Sequence, residues 1–241
     1  MATYAMADTH LSSVSGKPMD RFGARWQNYT EKLVSRWRAV VGEDDTVVIP
    51  GDISWAMKPE EARDDLLLLD SLPGKKLIGK GNHDYWWQSP GKVRSLLSSI
   101  GAESISVLSG NAFVADGCVV CGSRGWFIEE KFQSTPSPTD YEKLVRREVL
   151  RINASLEYGR GLLAERGISL PMYVFLHFPP VFGDFVCRPI VDCLKSAGIG
   201  RCFYGHIHGK YLLPPSFDYE GIKMEIISSD YLDFYPKKVS P

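Results

Sequence analysis

The stretch "KKLIGKGNHDYWW" (75–87) decides how this 241-residue chain is read. A strand-like apolar run gives way at Gly81 to Asn82, His83 and Asp84, with Tyr85, Trp86 and Trp87 behind. A turn explains Gly81 and tolerates Asn82 and Asp84. It gives no reason for His83. Side chains able to bind metal or move a proton thus stand where a strand ends.

Working outward, strands alternate with helices. Residues 3–8 (TYAMAD) and 46–52 (TVVIPGD) read as further strands. A helix is predicted over 21–41, where Phe22, Trp26, Tyr29, Leu33, Trp37 and Val40 recur at intervals of three and four. Two more are expected over 59–72, with Pro59 in the first turn, and over 89–100. Such alternation argues for an α/β fold. The runs "SISVLSG", "NAFVADG" and "CVVCGSRGW" then read as short strands punctuated by Gly, closer to an antiparallel set. A loop, "FQSTPSPTD", leads into a long helix over about 139–165. "MYVFLHF" (172–178), "RCFYGHI" (201–207) and the tail "IKMEIISSDYLDF" are strands again. With no linker or repeat, a single domain over 1–241 is expected, with a candidate substrate-selecting insertion at about 127–165.

Composition narrows the field. The 28 basic and 29 acidic residues leave a net charge of −1 and form no basic run, which argues against long nucleic acid as a partner. No apolar stretch approaches the roughly 20 residues needed to span a bilayer. The N-terminus lacks a basic region followed by a long apolar one. The five cysteines are scattered, and the C-x-x-C at 118–121 lies in a strand-like run where residues three apart face opposite sides. They are expected to be reduced and mostly buried, which suits a cytoplasmic protein.

All five histidines, His10, His83, His177, His206 and His208, fall at or just beyond the C-terminal end of an expected strand. In open α/β sheets that edge is where ligands bind. Asp8, Asp52, Asn82 and Asp84 accompany them. Asp8 and His10, like His206 and His208, are two apart, so in an extended chain each pair points one way. Imidazole, carboxylate and amide without thiolate suit a borderline or hard divalent metal such as Mn, Fe or Zn. These ligand-type residues are too many for one tetrahedral site but suffice for two metals about 3.5–4 Å apart that share a carboxylate.

Taken together, Asp8-Thr-His10, Gly51-Asp52, Gly81-Asn82-His83-Asp84, His177 and Gly205-His206-Ile-His208 resemble the pattern of the calcineurin-like metallophosphoesterases. "DTHLS", "KPMD", "GDISWAM" and "GNHDYWW" look like a bacterial subgroup of predicted phosphohydrolases. The resemblance implies two mixed β-sheets packed as a sandwich flanked by helices. It also implies one metal on Asp8, His10, Asp52 and His208, and another on Asp52, Asn82, His177 and His206. His83 is then unligated, stabilising or protonating the leaving oxygen, with Asp84 as its orienting partner. One departure stands out: many members read G-D-x-x-D, but Trp55 occupies the place of the second Asp.

The implied reaction is hydrolysis of a phosphate ester by a hydroxide bridging two divalent metals, with manganese favoured. Arg124 is a candidate phosphate contact. Tyr85, Trp86, Trp87 and Trp126 are a candidate aromatic wall for a nucleobase or aryl group. The expected substrate is a phosphorylated small molecule or nucleotide, leaning to a diester because no dense basic cluster awaits a dianion. Phosphomonoesterase, nuclease and non-catalytic metal-binding module are the alternatives. His83 speaks against the module, which would need only the ligands.

Overall fold

The computed structural model describes all residues except 15, 18, 128–137 and 241. Its first sheet contains β1 (Thr3–Ala5), β2 (Thr46–Ile49), β3 (Lys75–Ile78) and β4 (Ile105–Val107), paired in parallel in that order. A short antiparallel strand at Lys237–Lys238, the last in the chain, closes the β1 edge. The second sheet is built around β6 (Cys118–Ser123), β7 (Met172–Leu176), β10 (Arg201–Tyr204) and β12 (Ile222–Ile226), again parallel neighbours. Antiparallel strands β5 (Ala112–Ala115) and β11 (Ser216–Tyr219) flank it. A small hairpin, β8 (Val181–Phe182) with β9 (Phe185–Val186), lies between β7 and β10 in the chain.

Alternation along the strands builds three cores. Val47, Ile49 and Ile78 face helices α1 (Tyr29–Val40), α2 (Arg63–Asp70) and α3 (Pro90–Ile100), packing with Leu33, Trp37, Leu66 and Leu97. Val48, Leu77, Val120, Phe175 and Phe203 turn the other way and meet between the sheets. Val119, Val174 and Cys202 face α4 (Pro138–Arg166) and α5 (Arg188–Ser196), against Ile152, Leu156 and Val191. The result is helix, sheet, sheet, helix: the expected sandwich. Cys118 lies in the core between the sheets and Cys121 in the outer one, so their side chains are on opposite faces; all five cysteines are free.

Two expectations need correction. The helix expected over 21–41 begins only at Tyr29, preceded by 3₁₀ turns at Met19–Phe22 and Ala24–Trp26. Gly23 (φ 123°) and Asn28 (φ 52°) adopt positive φ, which a continuous right-handed helix does not admit. The break carries Trp26 to the ligand edge, where its ring lies 5.8 Å from His10 and 5.5 Å from His208. The strand expected over 3–8 stops at Ala5; beyond it, Ala7 makes a single parallel bridge to Ser228 that links the two sheets. Within the segment at 127–165, residues 128–137 lie outside the described residues, and Val145, Ile152 and Leu156 of α4 are core.

Candidate metal centre

The loops that follow β1, β2, β3, β7 and β10 converge at one edge of the sandwich and bring Asp8, His10, Asp52, Asn82, His83, His177, His206 and His208 together. Two donor groups emerge. Asp8, His10 and His208 each offer an atom within 4.8 Å of the others, and so do Asp52, His177 and His206. Asp52 Oδ2 joins the groups, 3.7 Å from His10 Nε2 and 3.5 Å from His177 Nε2. Asn82 Oδ1 lies 2.6 Å from His177 Nε2.

The backbone achieves this differently from the extended i, i+2 geometry expected from sequence. Asp8 (φ 63°), His10 (φ 45°), Asp52 (φ 52°) and His206 (φ 69°) all occupy the left-handed region. For non-glycine residues that conformation costs on the order of 1 kcal/mol or more each, and it clusters at functional sites. Glycines permit the close approach. A Cβ on Gly81 would stand 2.0 Å from Asp52 Oδ1, and one on Gly205 would stand 2.5 Å from the Ala7 Cβ and 2.7 Å from Asp8 Oδ2.

Each carboxylate is half used. The His206 N–H donates to Asp8 Oδ2 at 2.9 Å, and the His83 N–H donates to Asp52 Oδ1 at 2.8 Å. Asp8 Oδ1 and Asp52 Oδ2 are buried without a hydrogen-bond partner, as are His10 Nδ1 and His177 Nδ1. Leaving such atoms unpaired in a protein interior costs about 1–3 kcal/mol each. Burial pushes the Asp8 carboxyl up to about 6 and Asp52 well above the ordinary range, with neighbouring carboxylates adding to the latter. Burial first, then neighbouring imidazoles and, for His177 and His206, the Arg124 guanidinium, hold His10 and His177 far below the usual imidazole value and His206 down to about 3, so these imidazoles keep their lone pairs. His10 Nε2 and His208 Nε2 are 3.2 Å apart. Two nitrogens each about 2.0–2.1 Å from one cation, at octahedral to tetrahedral angles, would stand roughly 2.9–3.4 Å apart. The residues present therefore fit divalent cations held by nitrogen and oxygen.

The other sequence candidates sort themselves by burial. Asp84 is not the orienting partner of His83. Its carboxylate accepts from the backbone N–H of Asp52 (2.9 Å), Ile53 (2.8 Å), Ser54 (3.2 Å) and Gly81 (2.7 Å) and from Trp86 Nε1 (3.1 Å), and so locks the Asp52 loop to the Asn82 loop. The His83 ring packs instead on Trp55, centroids 4.3 Å apart, and its Nδ1 has no hydrogen-bond partner. Trp55 also stacks on His10 at 4.9 Å, so an indole rather than a carboxylate packs on this imidazole. Trp86 and Trp87 are core residues, 1% and 4% exposed, which removes them from the expected aromatic wall. Tyr85 is exposed, and Trp126 is half-buried against Phe178. Arg124, at the end of β6, sits 5.1 Å over Phe178, whose ring is 4.7 Å from His206. Its Nε is buried without a partner, and its charge is felt at Asp52, Asp84 and His177.

Asp230 was not singled out from sequence. It is fully buried, and its Oδ1 lies 2.8 Å from His208 Nδ1. The signal was available, since Asp230 follows β12 as Asp52 follows β2, at a strand's C-terminal end. It carries no motif spacing, so only the sheet order brings it to His208.

Comparison with known proteins agrees with this geometry. The family model for calcineurin-like phosphoesterases matches residues 1–210. No curated protein matches. Among solved structures, Phosphopantetheinyl Hydrolase (PptH) from Mycobacterium tuberculosis is 14% identical with a TM-score of 0.54, the match covering 100% of this chain and 96% of that one. The protein TT1561 of Thermus thermophilus is 12% identical with a TM-score of 0.56, covering 95% of this chain and 89% of that one. At such identities the two structures support the fold alone. The family match spans both donor groups and every loop that carries them, and the chain belongs to the calcineurin-like phosphoesterases, a family of metal-dependent hydrolases.

Proposed function

We propose that this chain is a dinuclear phosphoesterase that prefers phosphodiesters of small molecules or nucleotides. The observation that carries the reading is the unpaired Asp52 Oδ2 lying between the two donor groups. Asp8, His10, Asp52 and His208 would hold one cation, and Asp52, Asn82, His177 and His206 the other, with manganese favoured over iron or zinc. Two such cations supply Lewis-acid polarisation of phosphoryl oxygens and lower the pKa of a water.

The chain's own groups do the rest. Arg124 binds a non-bridging phosphoryl oxygen through its guanidinium. His83 is held near pKa 4, first by burial and then by the neighbouring His208 imidazole and the charges of Lys17 and Arg124, so its ring is neutral at pH 7. A cation in the centre would push it the same way. The neutral ring donates a hydrogen bond to the leaving oxygen as charge develops there. Asp84 keeps the two metal-binding loops in register, and Trp55 fixes the faces of His10 and His83. Phe127, whose ring lies 5.6 Å from His206, edges the site, and substrate selection is assigned to the segment at about 127–165 that it opens. The domain is read as 1–241, in a cytoplasmic protein with free thiols.

The test uses protein stripped with chelator and reconstituted with Mn²⁺. Hydrolysis of bis-p-nitrophenyl phosphate is compared with that of p-nitrophenyl phosphate. Faster turnover of the diester is expected; preference for the monoester would overturn the diester assignment. His83→Ala should retain metal content and lose about 10²–10³-fold in rate. An unchanged rate would remove His83 from the chemistry.

A further inference from the structure

We propose that Asp230 is a positioning residue that presents His208 to one cation of the centre, a task for which sequence offered no candidate. The inference rests on the two-metal reading above. A buried carboxylate 2.8 Å from His208 Nδ1 accepts a hydrogen bond from the N–H of that nitrogen and fixes the tautomer. The lone pair is thereby left on Nε2, the atom 3.2 Å from His10 Nε2. Carboxylate–histidine–metal arrangements of this kind set the ring orientation and raise ligand basicity.

Asp230 is itself held from both ends. Its Oδ2 accepts from the Gly209 N–H and the Tyr211 hydroxyl, both at 3.0 Å. Arg25 donates to the Asp230 carbonyl at 2.8 Å and the Tyr231 carbonyl at 3.1 Å. The same guanidinium stacks on the Tyr211 ring at 3.9 Å. The 3₁₀ turn that bears Arg25 also carries Trp26, whose ring touches His10 and His208. Ala7 exchanges backbone hydrogen bonds with Ile227 and Ser229, which pins the approach to Asp230 beside Asp8. The Asp230 carboxylate thus ties the loop of His208 to the end of β12, and the Asp230 carbonyl ties the same residue to the turn at Arg25. Among the described donor residues, Asp230 hydrogen-bonds His208, of the group with Asp8 and His10, so its effect is expected at that site.

The experiment is a Mn²⁺ titration of chelator-stripped full-length protein, followed by calorimetry and by the electron paramagnetic resonance signal of free Mn²⁺. Wild type is expected to bind two equivalents. Asp230→Ala should weaken one of them about 10–100-fold and leave the other unchanged. Asp230→Asn keeps an oxygen for the Nδ1 proton and should lose less. Tyr211→Phe removes only one donor to Oδ2, stays folded, and should show a small loss at the same site; it decides the matter if Asp230→Ala does not fold. Two equivalents bound by Asp230→Ala with wild-type affinity, or equal weakening at both sites, would overturn the assignment while leaving the two-metal reading intact. Failure of the wild type to bind a second Mn²⁺ would overturn the reading itself.

Discussion

Substituting Gly81 by alanine should dismantle the metal centre without removing a single ligand. The added Cβ would stand 2.0 Å from Asp52 Oδ1, 2.3 Å from Asp52 N and 2.7 Å from Asp52 Cγ. Contacts of this kind do not fall below 3.0 Å, so Asp52 or the Gly81 backbone must retreat by at least 3.0 − 2.0 = 1.0 Å. Metal–oxygen bonds of about 2.0–2.2 Å tolerate displacements of about 0.2 Å. The Asp52 carboxylate, proposed above as shared, would therefore move several times farther than coordination allows. The Asp84 clamp cannot absorb the movement, since its oxygens are bonded to Gly81 and Asp52 on both sides of the clash. A misplacement of about 1 Å costs on the order of 10²-fold in rate. Overpacking adds about 1–3 kcal/mol of instability. Metal content, thermal unfolding and hydrolysis of bis-p-nitrophenyl phosphate should be measured together. Gly91→Ala is the control, because nothing lies within 4 Å of its added Cβ. A Gly81→Ala protein with two metals and the wild-type rate would refute the reasoning.

Three expectations concern metal, the free histidine and the fold. Saturating metal at about 1,000 times its dissociation constant stabilises by about 4 kcal/mol, and each kcal/mol is worth about 2–4 °C here, so chelation should lower Tm by about 8 °C or more. A Tm indifferent to chelator and to added Mn²⁺ would contradict the fit of the unpaired ligand atoms. The His83→Ala variant should unfold at the wild-type temperature in the metal-loaded form, because its ring lies outside both proposed ligand sets; calorimetry checks this beside the rate. Lys76 is fully buried, and its ammonium donates to the carbonyls of Asp70, Leu72 and Gly74 and to Ser104 Oγ. Lys76→Met should cost about 3 kcal/mol through the carbonyls it leaves unpaired. Burial lowers the Lys76 pKa to about 8, below the unfolded value near 10.4, so over that window the unfolded chain binds the extra proton. Stability of the wild type relative to Lys76→Met should therefore rise with pH between about 8 and 10.4, and denaturant titrations at both ends of that window test the sign.

Much of the centre was legible before any fold was known, because the chemistry is a matter of residue type. Histidine, aspartate and asparagine after one apolar run after another have few reasons to recur except a shared edge, and all seven proposed ligands lie there. Two possible donor groups form there, and Asp52 Oδ2 of one lies 3.7 Å from His10 Nε2 of the other. The architecture was legible in part, since alternation of strand and helix implies parallel strands but does not say that they divide into two sheets. That division depends on which face each strand buries, as the split of Val47 and Val48 shows.

The partners of each side chain were not legible. Asp84 follows His83 directly, and adjacency suggested a pair; the folded loop instead turns its carboxylate back onto four backbone N–H groups, where a buried anion finds more donors. Trp86 and Trp87 sit beside the same motif yet face the core, because burying an indole there removes more apolar surface from water than lining a polar site would. Asp230 comes from the other end of the chain and meets His208 only through the order of β12 beside β10. Sequence by itself determined which atoms are available for metal chemistry, because donor type is written residue by residue. Tertiary structure alone decided which of those atoms are already used, because a hydrogen bond between residues far apart in the chain exists only once packing has brought them together.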